Sequence, residues 1–210
     1  MRYAKLPAPQ QEILNAYLAI QEASPATVVA EMRNSNPVVC YFAARRADRE
    51  NILGHEQARA LLKSAEPILT AAGAAASLKI FGPRTAELIP PLMRESHPAV
   101  IAAALDALSE SVTRTETAKL LLDALPRLSG PLRHRAMRLL GKLKYRQATE
   151  VLDDIFRKRD GVDSPVACGV LAAILGRSFV DGITEYLYSD NPFELHVAVL
   201  ECMAENPAPL

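Results

Sequence analysis

Residues 96–110 read SHPAVIAAALDALSE: five alanines and two leucines in fifteen positions, with a proline third. Alanine and leucine are the strongest helix formers, and a proline at the first turn loses no hydrogen bond. A helix made of so many small apolar residues is built to be touched on several sides at close range. Similar runs recur along the chain. NPVVCYFAARRAD ends at Asp48, AAGAAASLKIFG at Gly82, HPAVIAAALDALS at Ser109, PLRHRAMRLLG at Gly141, PVACGVLAAILG at Gly176 and NPFELHVAVLECMA at Ala204, at intervals of 34, 27, 32, 35 and 28 residues. A period in this range is the signature of repeated supersecondary units.

Five of the six runs open near a proline: Pro37, Pro98, Pro131, Pro165 and Pro192. Asn36, Ser164 and Asn191 are placed as N-caps, and glycine or another small residue closes most runs. Between the runs lie amphipathic segments such as TETAKLLLDALPRLS, with Leu120, Leu121, Leu125 and Leu128 at helical spacing. Each unit is therefore helix, turn, helix. One pair cannot bury its own apolar face, whereas a stack of pairs can. In the second helices, Ala102, Ala103, Ala104 and Ala107 are expected as spacers, with Val100, Leu105 and Leu108 as the larger knobs.

HPAVIAAALDALS and PLRHRAMRLLGKL resemble the second helix of HEAT repeats, in their short bacterial form. The likeness is clearer over residues 84–206 than over the divergent repeats of 24–82. Ala102, Val166 and His196 occupy or adjoin positions where that family commonly carries arginine. Pro90, Pro91 and Pro126 stand in first helices, where HEAT proteins often kink. The resemblance implies an all-α fold: a right-handed α-solenoid of about five to six helical hairpins, read as one domain over residues 1–210, with residues 10–22 as an N-terminal capping helix. It further implies an armadillo-type scaffold engaged in protein binding.

Composition narrows the function. The net charge is zero over 210 residues and tryptophan is absent, so no global field advertises nucleic acid, which is not the expected partner. The charge is nevertheless segregated: residues 127–159 carry a net +7 and residues 160–210 a net −7. Cys40, Cys168 and Cys202 sit in apolar helical patterns without metal-ligand spacing, as expected of buried thiols in a reducing compartment. With no apolar signal core at the N-terminus and no stretch of membrane-spanning length, a cytoplasmic protein without membrane insertion is expected.

Three groups of residues stand out as candidate sites. The first is a basic stripe, Arg133, Arg135, Arg138 and Lys142 on one helix, extended by Arg177 one repeat later. By the resemblance it could face the groove of a solenoid and dock an acidic segment of another protein. Alternatively its charges pair within the stack, for which Asp106 is placed. The second is the apolar C-terminal face of Val199, Leu200 and Met203. These side chains either pack back onto the preceding hairpin, are covered by chain beyond Leu210, or meet a partner or a second copy. The third is the His55-Glu56 pair, which alone cannot supply a di-iron site. No metal, cofactor or catalytic residue is expected. The first reading is a non-enzymatic adaptor; the alternative is a lyase-type HEAT-like enzyme holding a bulky anionic ligand in its groove.

Overall fold

The computed structural model describes residues 7–94, 97–110 and 114–206, and every regular element among them is helical. In chain order these are α1 (Ala8–Glu22), α2 (Pro25–Glu31), α3 (Pro37–Arg49), α4 (His55–Leu62), α5 (Pro67–Phe81), α6 (Thr85–Leu92), α7 (Pro98–Glu110), α8 (Arg114–Ala124), α9 (Gly130–Lys142), α10 (Thr149–Phe156), α11 (Asp163–Leu175), α12 (Arg177–Ile183) and α13 (Phe193–Glu205). The chain divides into two compact units, Met1–Val112 and Thr113–Leu210.

In the first unit α2 packs on α3, α4 on α5 and α6 on α7, while α3 packs on α5 and α5 on α7. The alanine-rich helices thus contact one another in series, each flanked by its own amphipathic partner. The reason lies in their side chains. On α5, Ala72, Gly73 and Ala74, which follow one another around a single turn, and Ala76 are all buried, so the helix is apolar on most sides and can be approached from most sides. Gly73 marks the tightest approach. A Cβ built there would lie 2.9 Å from both the Cβ of Leu61 and the amide nitrogen of Leu62 on α4. On α7, Ala104 and Ala107 are buried with Val100, Leu105 and Leu108, whereas Ala102 and Ala103 are only half-buried.

The helix starts and stops are local chemistry. The Asn36 side chain accepts a hydrogen bond from the Val38 amide at 2.9 Å, capping α3, and the Ser24 hydroxyl accepts from the Thr27 amide ahead of α2. Pro67 opens α5, so the second run begins four residues before the AAGAAAS stretch and follows the proline rule after all. Gly82 and Gly176 end α5 and α11 with φ of 55° and 67°, a region that penalises a Cβ. Gly141 does something different: it lies inside α9, where a Cβ would press to 3.3 Å from Val170 on α11. It is a spacer, and α9 ends at Lys142 instead, with Leu143 as its C-cap.

α1 begins earlier than the capping helix read from residues 10–22, with Pro7 before its first turn. It is tied to α3 by Arg46, whose guanidinium donates to the carbonyls of Ile20, Gln21 and Ala23 and pairs with Glu50 at 2.7 Å. The last carbonyls of a helix have no partner within it, and here one cation from the neighbouring helix supplies several.

In the second unit α8 packs on α9, α10 on α11 and α12 on α13, and α9, α11 and α13 again make contact in series. Leu125–Arg127 forms a 3-10 turn that contains Pro126 and closes α8. Two expected caps fail. Ser164 is fully buried inside the first turn of α11, where its hydroxyl donates to the Ile155 carbonyl. The cap is Asp160, whose carboxylate accepts from the amides of Val162, Asp163 and Ser164. Burial opposes its ionisation, but those three amides and the nearby Lys158 outweigh it and hold the carboxyl below its ordinary value. Asn191 does not cap α13 either; its amide donates to the Tyr186 carbonyl and Pro192 stands at the helix start.

Candidate functional site

The basic stripe separates into two sets with different roles. Arg133 is committed to the fold: it donates to the Leu128 carbonyl and pairs with Asp163 on α11 at 2.7 Å. His134 reaches the other oxygen of the same carboxylate at 2.8 Å. This half-buried clasp joins the N-terminal ends of α9 and α11, where the carboxylate also suits the helix dipole. Arg135 is half-buried and engaged. Arg177 leaves the stripe entirely. It opens α12, pairs with Asp181 at 2.7 Å and donates to the Asn206 carbonyl at the end of α13, so it caps a helix and does not extend a cationic surface.

Arg138 and Lys142 remain. One turn apart on α9, both are exposed, and neither has a carboxylate within ion-pair distance among the described residues. They form one wall of an open groove of about 590 Å³ that crosses α9, α11 and α13. Pro165, Val166, Gly169, Val170 and Ala173 of α11 make its floor. Glu194, Glu201 and Glu205 of α13 make the opposite wall, and Val197 and Ala198 lie between them. Two cations of the net +7 segment and three carboxylates of the net −7 segment thereby stand on facing walls of one groove. Sequence alone showed the segregation but not the facing of the walls: helical spacing puts Glu194, Glu201 and Glu205 on one face of α13, and that face meets the groove opposite Arg138 and Lys142 only once α13 is placed beside α11.

The floor follows from helical spacing. Pro165, Gly169 and Ala173 recur every four residues and lie on one face of α11. A Cβ added at Gly169 would meet nothing within 4 Å. Small side chains there leave room for another backbone to come close.

The apolar C-terminal face is only partly as expected. Val199 is fully buried, packed inward against the unit, and Met203 is half-buried; Leu200 is 54 % exposed. Leu200 instead shares a face with Phe193, seven residues earlier, which is 76 % exposed. The period of the helix explains the split, since Val199 points about 100° away from Leu200.

A second cavity, of about 260 Å³, lies in the first unit beside Met32, Cys40, Gln57 and Leu61. Burial pushes the Cys40 thiol up, and its sulfur donates to the Met32 carbonyl at 3.0 Å. Glu56 lines this cavity, whereas the ring of His55 packs edge-on against Phe81 with centroids 5.3 Å apart. Adjacent in sequence, the two side chains serve different surroundings. Among the described residues no three His, Cys, Asp or Glu side chains converge to hold a metal ion. No helix among them is long and apolar enough to cross a membrane. No protein-family model matches the chain, and no curated protein sequence is significantly similar to it.

Proposed function

We propose that this chain is a non-enzymatic adaptor, a right-handed α-solenoid of HEAT-like hairpins that docks a segment of another protein in the groove across α9, α11 and α13. One observation carries the reading: two exposed cations face three carboxylates across a floor of small apolar residues. Each wall retains charge to offer a ligand. Such a groove fits an amphipathic helix with acidic side chains along one flank, basic ones along the other, and small or aliphatic residues between. Charges of this kind set register and partner choice more than raw affinity. The three unpaired thiols suit work in the cytoplasm.

The acidic wall weighs against the alternative of an enzyme holding a bulky anionic ligand, since three carboxylates would repel it. The groove is also open, unlike the enclosed pocket with converging polar groups that suits an enzyme site.

The experiment is selection of a displayed peptide library on the immobilised full chain, in parallel with an Arg138→Glu/Lys142→Glu variant of unchanged helicity. The expected binders carry both signs of charge on opposite flanks and lose at least tenfold in affinity for the variant. Binders of a single charge sign, or binders that retain their affinity for the variant, would overturn the assignment.

A further inference from the structure

The second unit also contains a pair of thiols that its groove does not use. Cys168 on α11 and Cys202 on α13 face each other across the helix contact with their sulfurs 3.7 Å apart. Both are buried and both are free. We propose that Cys168 and Cys202 are a redox modification site, which closes to an intramolecular disulfide on reaction with a hydroperoxide and reopens on reduction by a thiol.

The sulfurs already touch. A disulfide brings them to about 2.05 Å, a closure of under 2 Å that side-chain rotation and a small helix shift can supply. The thiols are also unequal in a way that suits the chemistry. With Cys168 as donor, the hydrogen bond between them draws the Cys202 thiol below its ordinary value in spite of burial, and pushes that of Cys168 up. In that arrangement Cys202 is the nucleophile and Cys168 the resolving thiol, and with the donor reversed the two exchange roles. The Cys202 thiolate attacks one peroxide oxygen and the O–O bond breaks, giving a sulfenic acid and a hydroxide or alkoxide that takes up a proton. The Cys168 sulfur then attacks the Cys202 sulfur. The S–S bond forms, the S–O bond breaks, and the departing hydroxide leaves as water with the Cys168 proton. Two electrons pass from the sulfur pair to the peroxide. A hydroperoxide as small as hydrogen peroxide reaches the pair through local opening of α13, whose main packing among the described residues is on α11, α12 and the turn before it. Gly169 and Glu201, the sequence neighbours of the two cysteines, line the groove, so the bond ties the groove's floor to its acidic wall.

The test uses the reduced full chain exposed to a small excess of hydrogen peroxide, followed by denaturation and thiol counting, with peptide mass mapping. The expected product has lost two hydrogens, links the peptides containing Cys168 and Cys202, and shows one reactive thiol where three existed. Dithiothreitol restores all three, and the oxidised form melts several degrees higher. Cys168→Ala should stop at a sulfenic acid on Cys202 that a dimedone reagent traps. Three surviving thiols, a bridge that includes Cys40, or direct passage to sulfinic acid in the unaltered chain would overturn the proposal. None of these readouts depends on peptide binding.

Discussion

Gly73 tests the close-packing argument most sharply when set against Gly169. In an unobstructed helix interior, Gly→Ala is stabilising by about 1 kcal/mol, because alanine loses less backbone freedom on folding. At Gly169 the new Cβ meets nothing within 4 Å. Gly169→Ala should therefore raise stability by about 0.5–1 kcal/mol. At Gly73 the same methyl would sit 2.9 Å from the Leu62 amide nitrogen and from the Leu61 Cβ. Ordinary contact between such atoms lies near 3.5–4.0 Å. The obstacle is backbone, so no rotamer change relieves it, and α4 must move off α5 by roughly half an ångström or more. Overpacking of this sort costs about 1–3 kcal/mol, and a backbone clash belongs at the upper end. Subtracting the propensity gain leaves a net loss of about 2 kcal/mol. Urea unfolding followed by circular dichroism reads both changes, with the slope checked for constancy. Opposite signs are expected from one chemical substitution. If Gly73→Ala is as stable as the unaltered chain, α4 and α5 do not approach as described, and small residues in these runs are not spacers.

Three further outcomes follow from particular contacts. Arg46→Met keeps the apolar stem but removes the donors to the end of α1, and should cost about 2–3 kcal/mol in urea unfolding, with amide exchange accelerated in residues 8–22. The Thr85 side chain is fully buried and its hydroxyl finds no partner among the described residues, so Thr85→Val should stabilise by about 1 kcal/mol, read as a higher melting temperature. Asp160→Ala should cost about 1 kcal/mol at neutral pH through loss of the α11 cap. The Asp160 carboxyl is held below its unfolded value, so its contribution is full above that value and fades as pH falls through the folded one; the gap between variant and parent should close in acid.

Much of the helix plan is legible in the residues because its signals are local. Proline at the first turn, glycine at the last and the alanine runs mark α3, α7, α9, α11 and α13 within a residue or two. Failures occur where a side chain's role depends on a neighbour distant in sequence. Ser164 looks like a cap until the Ile155 carbonyl is placed beside it. Arg133 and Arg177 look like members of a stripe until Asp163 and the Asn206 carbonyl claim them. The proline-glycine logic also misassigns Gly141, whose missing side chain answers Val170 on another helix. Charge segregation was visible along the chain, but the facing of Arg138 and Lys142 toward Glu194, Glu201 and Glu205 comes from tertiary packing.

The proposed docking role of the groove is tested most directly by a compensating charge swap. A helical peptide selected on the unaltered chain is titrated by fluorescence anisotropy against that chain and against Lys142→Glu. The same measurements are repeated with the peptide's facing carboxylate changed to lysine. The account predicts a loss of about three- to tenfold for either change alone and recovery of most of it when both are combined. Independent, additive losses would show that the peptide does not lie against the wall formed by Arg138 and Lys142.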